Sequence, residues 1–373
     1  MSFCGVQRLG FAEPPLLFDP EALETRMPIK DDYYIEMWKQ VLSLSRLKAD
    51  ERVVVLTTEG SRPVNVDAAQ RSAMAMGASM FRLELPPMPP RGLAGVPVKG
   101  ITPLSSNKLA VETLKQADLV IDLIGLLHSP EQTEILATGT RMLMVIEPPE
   151  ILAQMLPSLD DKRRVMEANR KLKSAKTMHV TSQAGTDLTM QLGAYATLPE
   201  YGFADDPGHW DHWPSGFLAT WPKDNTANGR VVIDIGDMLF PMQMYVMSPI
   251  TLEIENGFIR KIEGGFEAAY LRRHIDNYMD PLAYAVSHVG WGMQPKAKWT
   301  GLGMRDKSGG IGMDARSFEG NFLFSTGPNG EGGGSNHSAC HVDIPMAGCS
   351  VSLDGMPITR DGVIVDRDLV AAG

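Results

Sequence analysis

The chain has 373 residues, of which 43% are hydrophobic and 21% charged, an ordinary globular composition with enough length for two domains and a sizeable core. Its formal net charge of -10 leaves no basic stripe with which to hold nucleic acid or an anionic membrane surface. Three cysteines, Cys4, Cys340 and Cys349, are too few and too scattered for a disulfide framework or a zinc ribbon, so a reducing cytoplasm is the expected compartment.

The segment Met1 to Lys30 carries Glu13, Asp19, Glu21 and Glu24 where a signal peptide needs an unbroken apolar core. No run of eighteen apolar residues follows anywhere, so no membrane span is expected. From Asp31 to Asp50, Tyr34, Met37, Trp38, Val41 and Leu42 recur at helical spacing. The run Arg52 to Thr57 then has the continuous apolar character of a buried parallel strand. The alternation continues with helices near Val66–Met76, Lys108–Gln116 and Glu131–Ala137, and strands near Ser79–Leu85, Leu119–Ile124 and Arg141–Ile146. Strand and helix taking turns in this way predict an α/β domain with a parallel sheet. Thr57-Thr-Glu-Gly-Ser stands after the first strand where a dinucleotide site would need Gly-x-Gly-x-x-Gly. The proline-rich piece Leu85 to Arg91 reads as an exposed loop.

A helix over Asp160–Lys176 contains the one dense cationic run, Lys162-Arg163-Arg164 to Lys176, which reads as a solvated face. Beyond it the texture becomes β-rich. Thr177–Thr181 and Thr186–Leu192 read as strands, and Asn256-Gly257 between alternating apolar runs predicts a hairpin over Ile250–Ile262. A helix is predicted from Phe266 to about His288, and Asp354-Gly355 with Asp361-Gly362 predict a three-stranded meander over Val351–Val365. The expected division is therefore an α/β domain over 1–180 and a β-rich α+β, metal-binding domain over 181–373.

Candidate chemistry concentrates between Ser325 and Asp343, a glycine-rich stretch ending in His341-Val342-Asp343. In an extended segment His341 and Asp343 project from one face, so both can reach one cation; a hydrogen-bonded surface pair is the plainer reading. If His288 joins them, two histidines and a carboxylate form the facial set of non-haem iron(II) oxygenases; the plainer role for His288 is at a helix C-terminus, against the dipole. His209 and His212 sit in Asp206-Pro-Gly-His-Trp-Asp-His-Trp-Pro214, whose rings suit a pocket wall, with metal ligation as the other reading. His128 follows Leu127 at the C-terminal end of a predicted parallel strand, where α/β sheets place ligand contacts, or else caps the helix beginning at Ser129-Pro130. Cys340 reads as packing, and structural roles suit His179 and His274.

These residues carry a resemblance. Leu126-Leu127-His128, Gly208-His209-Trp-Asp-His212, Ser287-His288-Val-Gly-Trp-Gly, Phe324-Ser325 and His341-Val342-Asp343 resemble the 2,5-dihydroxypyridine 5,6-dioxygenase family of bacterial nicotinate and nicotine breakdown. Its superfamily includes the aminopeptidase-T-like metallopeptidases. The resemblance implies Fe(2+) held by His288, His341 and Asp343, with His128 as acid/base. It also implies Ser325, His209, His212 and Leu127 at the substrate, with Glu200 beside them. The implied partners are a small aromatic N-heterocycle and dioxygen, the implied product N-formylmaleamate, and the implied assembly a homo-oligomer. Where the peptidases have a glutamate and a histidine for a second metal, this chain has His288 and Leu323, and Asp237 stands near a former glutamate position. One iron therefore fits better than two zincs. A two-metal peptidase, ring cleavage of a different hydroxylated heterocycle, and a non-catalytic binding protein of the same fold are the alternatives.

Overall fold

The computed structural model describes residues 31–87, 101–127, 129–304 and 310–371. The expectations for Met1–Lys30 and His128, and most of the proline-rich piece, lie outside these residues. A parallel sheet has the strand order Ser79–Glu84, Arg52–Thr57, Leu119–Asp122, Arg141–Met144, Trp210–His212. Successive residues of a strand face opposite sides, and here Val53 and Val55 enter one core while Val54 and Leu56 enter another. That explains why Val53–Leu56 reads as an unbroken apolar run. The helix Asp31–Leu44 buries Trp38 against the larger core, its ring edge-on to Trp213 at 5.1 Å between centroids.

Two large antiparallel sheets and the small Met238–Leu239/Met244–Tyr245 pair make up the β-rich part. One has eight strands and contains the Ile250–Glu255/Phe258–Gly264 hairpin and the Cys349–Leu353, Met356–Arg360, Val363–Ile364 meander, with both Asp-Gly turns where the sequence predicts them. The other is ordered Val342–Met346, Phe322–Thr326, Val286–Gly292, Phe217–Thr220, Thr197–Glu200. The predicted architecture, α/β with a parallel sheet followed by β-rich α+β, is the one observed. Trp210–His212, from the tryptophan-rich stretch that reads as a loop in sequence, is a short strand on the edge of the parallel sheet.

Two further expectations are corrected. The predicted helix from Phe266 to His288 ends at Asp276; a short helical turn over Pro281–Tyr284 follows, and His288 lies within the strand Val286–Gly292. Pro281 has no N–H to donate and disfavours helical geometry in Asp280, and beyond it buried Val289 and Trp291 suit a strand. The helix Leu159–Ser174, opened by a capping box between Ser158 and Asp161, is not wholly a solvated face. Arg164 is buried and paired with Asp161 at 2.8 Å and Glu319 at 3.0 Å, because this side of the helix packs into the core through Val165 and Ala168.

Candidate metal centre and ligand cavity

His341 and Asp343 stand at the start of the strand Val342–Met346, two residues apart and on one face. The neighbouring strand Phe322–Thr326 pairs with Val286–Gly292 through a register shift between Val286 and Val289, so Ser287 and His288 form a bulge. Bulges re-aim side chains, and this one directs His288 to the other two. The Ser325 hydroxyl donates to the His288 carbonyl at 2.7 Å, satisfying a group that the bulge takes out of regular pairing. The return loop before His341 needs its glycines. Gly327 has φ +104, and a Cβ there would lie 1.9 Å from the Cys340 carbonyl oxygen, an approach only glycine permits. Asn336 ties the same loop by donating to the carbonyls of Gly327 at 2.8 Å and Leu282 at 3.0 Å.

The three side chains form a nearly equilateral donor triangle. His288 Nε2 lies 3.2 Å from His341 Nε2, and each lies 3.1 Å from Asp343 Oδ1. A six-coordinate first-row cation with ligands at about 2.1 Å holds adjacent donors about 3 Å apart, so one cation fits the triangle. His341 Nδ1 lies 2.9 Å from the Thr326 carbonyl oxygen, a contact that places the ring proton on Nδ1 and leaves Nε2 as a lone-pair donor. Asp343 Oδ1 is buried without a hydrogen-bond partner, while Oδ2 accepts from Arg316 Nε at 2.9 Å. Burial pushes the Asp343 carboxyl up, but His341, Arg316 and His288 together outweigh it and hold the group well below the usual carboxylate range. The site therefore presents a carboxylate and two imidazoles, a donor set suited to a divalent transition metal. Among the described residues it is the one such group of three or more acidic, histidine or cysteine side chains.

The triangle opens on a cavity of about 440 Å³, a size that suits a small ligand. Its far wall comes from the C-terminal side of the parallel sheet: Gly125 and Leu127 after one strand, Ile146 after another, and Trp210 and His212 from the edge strand. Open α/β sheets bind ligands at this end. Phe217 and Leu323 add apolar surface on the same wall as His288, His341 and Asp343. His212 is fully buried, its Nε2 has no partner among the described residues, and burial followed by the Arg316 charge lowers its pKa to about 3, so it is neutral. Glu200 lines the cavity and accepts from the Ser215 hydroxyl at 3.0 Å; burial, reinforced by Glu331, raises its pKa to about 7 despite that bond.

Of the residues predicted from sequence, His288, His341, Asp343, His212, Glu200 and Leu127 line this cavity together. His209 and Ser325 are not on its wall. The His209 ring lies against Tyr201, with centroids 5.1 Å apart, and near the carboxylates of Asp205 and Asp211; burial lowers its pKa. The Ser325 hydroxyl is spent on the His288 carbonyl. Asp237 is likewise committed, accepting from the backbone of Asp234 at 2.8 Å and Ala347 at 2.9 Å. Sequence reasoning missed Arg316, which has no motif around it, and Asp122, which folds the loop toward Leu127 by accepting from the N–H groups of Ile124, Gly125 and Leu126.

Residues 33–366 match the family described as NicX, 2,5-dihydroxypyridine 5,6-dioxygenase. A relative from Pseudomonas putida KT2440 named 2,5-dihydroxypyridine 5,6-dioxygenase is 48% identical over 342 residues, 91% of this chain and 98% of that protein. The solved structure of the 2,5-dihydroxypyridine dioxygenase of the same organism superposes with a TM-score of 0.89 at 47% identity, covering 92% of this chain and all of that one. Wild-type AmpT from Thermus thermophilus shares the fold, with a TM-score of 0.57 at 17% identity over 89% of this chain and 100% of its own. The chain belongs to the 2,5-dihydroxypyridine 5,6-dioxygenase family.

Proposed function

We propose, from that membership, that this protein is an iron(II)-dependent dioxygenase that opens the ring of 2,5-dihydroxypyridine with dioxygen to give N-formylmaleamate, in the bacterial breakdown of nicotinate. The observation that carries the reading is the triangle of His288, His341 and Asp343, with 3.1 to 3.2 Å edges on the wall of a ring-sized cavity. Iron bound there would supply open positions for ring hydroxyl and dioxygen together, and the redox capacity that a zinc site lacks.

The chain's own residues supply the rest. Leu127, Phe217 and Leu323 face the ring with apolar surface and exclude water from the cavity. Neutral His212 gives or takes a hydrogen bond at a polar ring atom. Glu200, with a pKa of about 7, holds a proton near neutral pH and serves as a second polar contact. His128 follows Leu127 directly in sequence and is assigned the proton transfers that accompany ring attack and opening, for which imidazole suits neutral pH. The reaction adds both oxygen atoms to the ring without loss of any atom. Against the two-metal peptidase stands the cavity itself: Leu323 lines it where a second metal would need a donor, and Asp237 is tied to backbone away from its wall.

The test is oxygen uptake. Protein reconstituted with iron(II) under nitrogen should, on admission of air, consume one dioxygen per 2,5-dihydroxypyridine and none without the ring. Hydrolysis of leucyl peptides by the zinc-loaded protein under nitrogen, with no oxygen uptake by the iron form, would favour the peptidase.

A further inference from the structure

Glu200 and His212, the two polar side chains assigned above to the ring, come from different sheets. Glu200 ends Thr197–Glu200, the outermost strand of the sheet that carries His288 and Asp343. His212 ends Trp210–His212, the outermost strand of the parallel sheet. Both side chains are buried on the cavity wall. An edge strand has one side without a ladder partner, so sheet pairing alone does not set the distance between these two strand ends.

Asp211 joins them. Successive strand residues face opposite sides: Trp210 and His212 line the cavity, while Asp211 between them is fully buried and off its wall. Asp211 Oδ2 accepts from the N–H of Tyr201 at 2.9 Å, and Oδ1 accepts from the N–H groups of Gly202 at 3.0 Å and His212 at 2.7 Å. Tyr201 and Gly202 follow directly on Glu200, where the strand has ended and their buried N–H groups need another acceptor. One carboxylate thus holds the peptide group that follows Glu200 and the one that leads into His212. The His209 ring rests on Tyr201, with Nε2 3.8 Å from Asp211 Oδ2, so His209 packs against this junction.

We propose that Asp211 is a positioning residue for substrate binding: it fixes Glu200 and His212 relative to each other through their backbones, without touching the ring. The assignment rests on the functional reading above, in which those two side chains are the polar contacts. Asparagine has nearly the same shape but only one acceptor oxygen. Whichever way its amide is turned, at least one of the three N–H groups faces an NH₂ group and loses its bond. Relief of that clash shifts one strand end against the other, and both ring contacts depend on their separation.

The test is a double-mutant cycle read as ring affinity. Four chains are compared: wild type, Asp211→Asn, Glu200→Ala with His212→Ala, and all three substitutions together. Each is loaded with iron(II), kept under nitrogen so that nothing turns over, and titrated with 2,5-dihydroxypyridine. Iron per chain and melting temperature are measured on the same samples. Asp211→Asn alone should keep its iron and bind the ring roughly 10- to 100-fold more weakly, the range for a displaced contact. Once Glu200 and His212 are truncated, Asp211→Asn should change affinity by less than about twofold, because nothing remains for it to position. Unchanged affinity in Asp211→Asn overturns the proposal. So does an equal fall in both backgrounds, or loss of iron or fold, since each marks Asp211 as support for the chain at large. A wild-type protein that does not bind the ring overturns the functional reading instead.

Discussion

Asp122 offers a sharp test of how the fold builds the cavity wall. It ends the strand Leu119–Asp122, is fully buried, and accepts from Ile124 at 2.9 Å and Gly125 at 3.0 Å through Oδ1, and from Leu126 at 2.6 Å through Oδ2. Burial raises its pKa to about 6 against the pull of those three bonds, so at pH 7.5 it is ionised and accepts all of them. Asp122→Asn can keep the two bonds at one oxygen, but its NH₂ then faces a backbone N–H. One buried donor goes unpaired, at about 1 to 3 kcal/mol. Asp122→Ala orphans all three donors, and with water admitted to part of the gap the cost is roughly 3 to 5 kcal/mol. Urea unfolding of the metal-free protein at pH 7.5 reads both. The expected order of stability is wild type, Asn, Ala, with an unchanged m-value. Because the loop carries Leu127 to the cavity, both variants should also bind substrate more weakly. An alanine variant within about 1 kcal/mol of wild type would refute the account of this turn.

Three further outcomes are expected. His288→Ala should fall from one iron per chain to none in metal analysis, since a facial set of three has no spare protein ligand; full occupancy would remove His288 from the site. His128→Ala should keep iron and substrate binding while kcat falls by roughly 10² to 10⁴, and normal turnover would return His128 to capping the helix at Ser129. Burial raises Glu200 from 4.5 to about 7, so the folded chain keeps a proton that the unfolded chain releases. That stabilisation is complete below about pH 4.5 and is lost as pH rises through about 7. Glu200→Gln, which cannot ionise, should therefore lose less stability than wild type between pH 5 and 8, by about 2 to 3 kcal/mol. Parallel stability curves would contradict the burial argument.

The α/β strands and the hairpins of the β-rich part were legible because each signal was local. Val53–Leu56 is apolar on both faces because the sheet is covered on both, and the two Asp-Gly turns and Asn256-Gly257 mark hairpins through backbone geometry that few residues tolerate. The error at His288 also has a local cause. The apolar spacing of the helix Phe266–Asp276 runs on toward the strand, and Pro281 is the breaker that outweighs it. The spacing of His341 and Asp343 came directly from strand periodicity, whereas their meeting with His288 depends on a bulge that no local pattern announces. Arg316, Asp122 and the turn of Ser325 toward a carbonyl are products of long-range packing. The resemblance could name Ser325 and His209 as part of a constellation, but not distinguish a side chain that lines the cavity from one that holds up its wall.

The most direct measurement is isotopic. The chain loaded with one iron(II) is given 2,5-dihydroxypyridine under ¹⁸O₂, and the product is read by mass spectrometry within seconds, before exchange with water dilutes the label. Both labelled atoms should appear in N-formylmaleamate, with the zinc-loaded protein and the Asp343→Ala variant inert, because ring opening then depends on a redox-active cation held by this triangle. A product carrying one labelled atom or none, or equal activity with zinc, would contradict it.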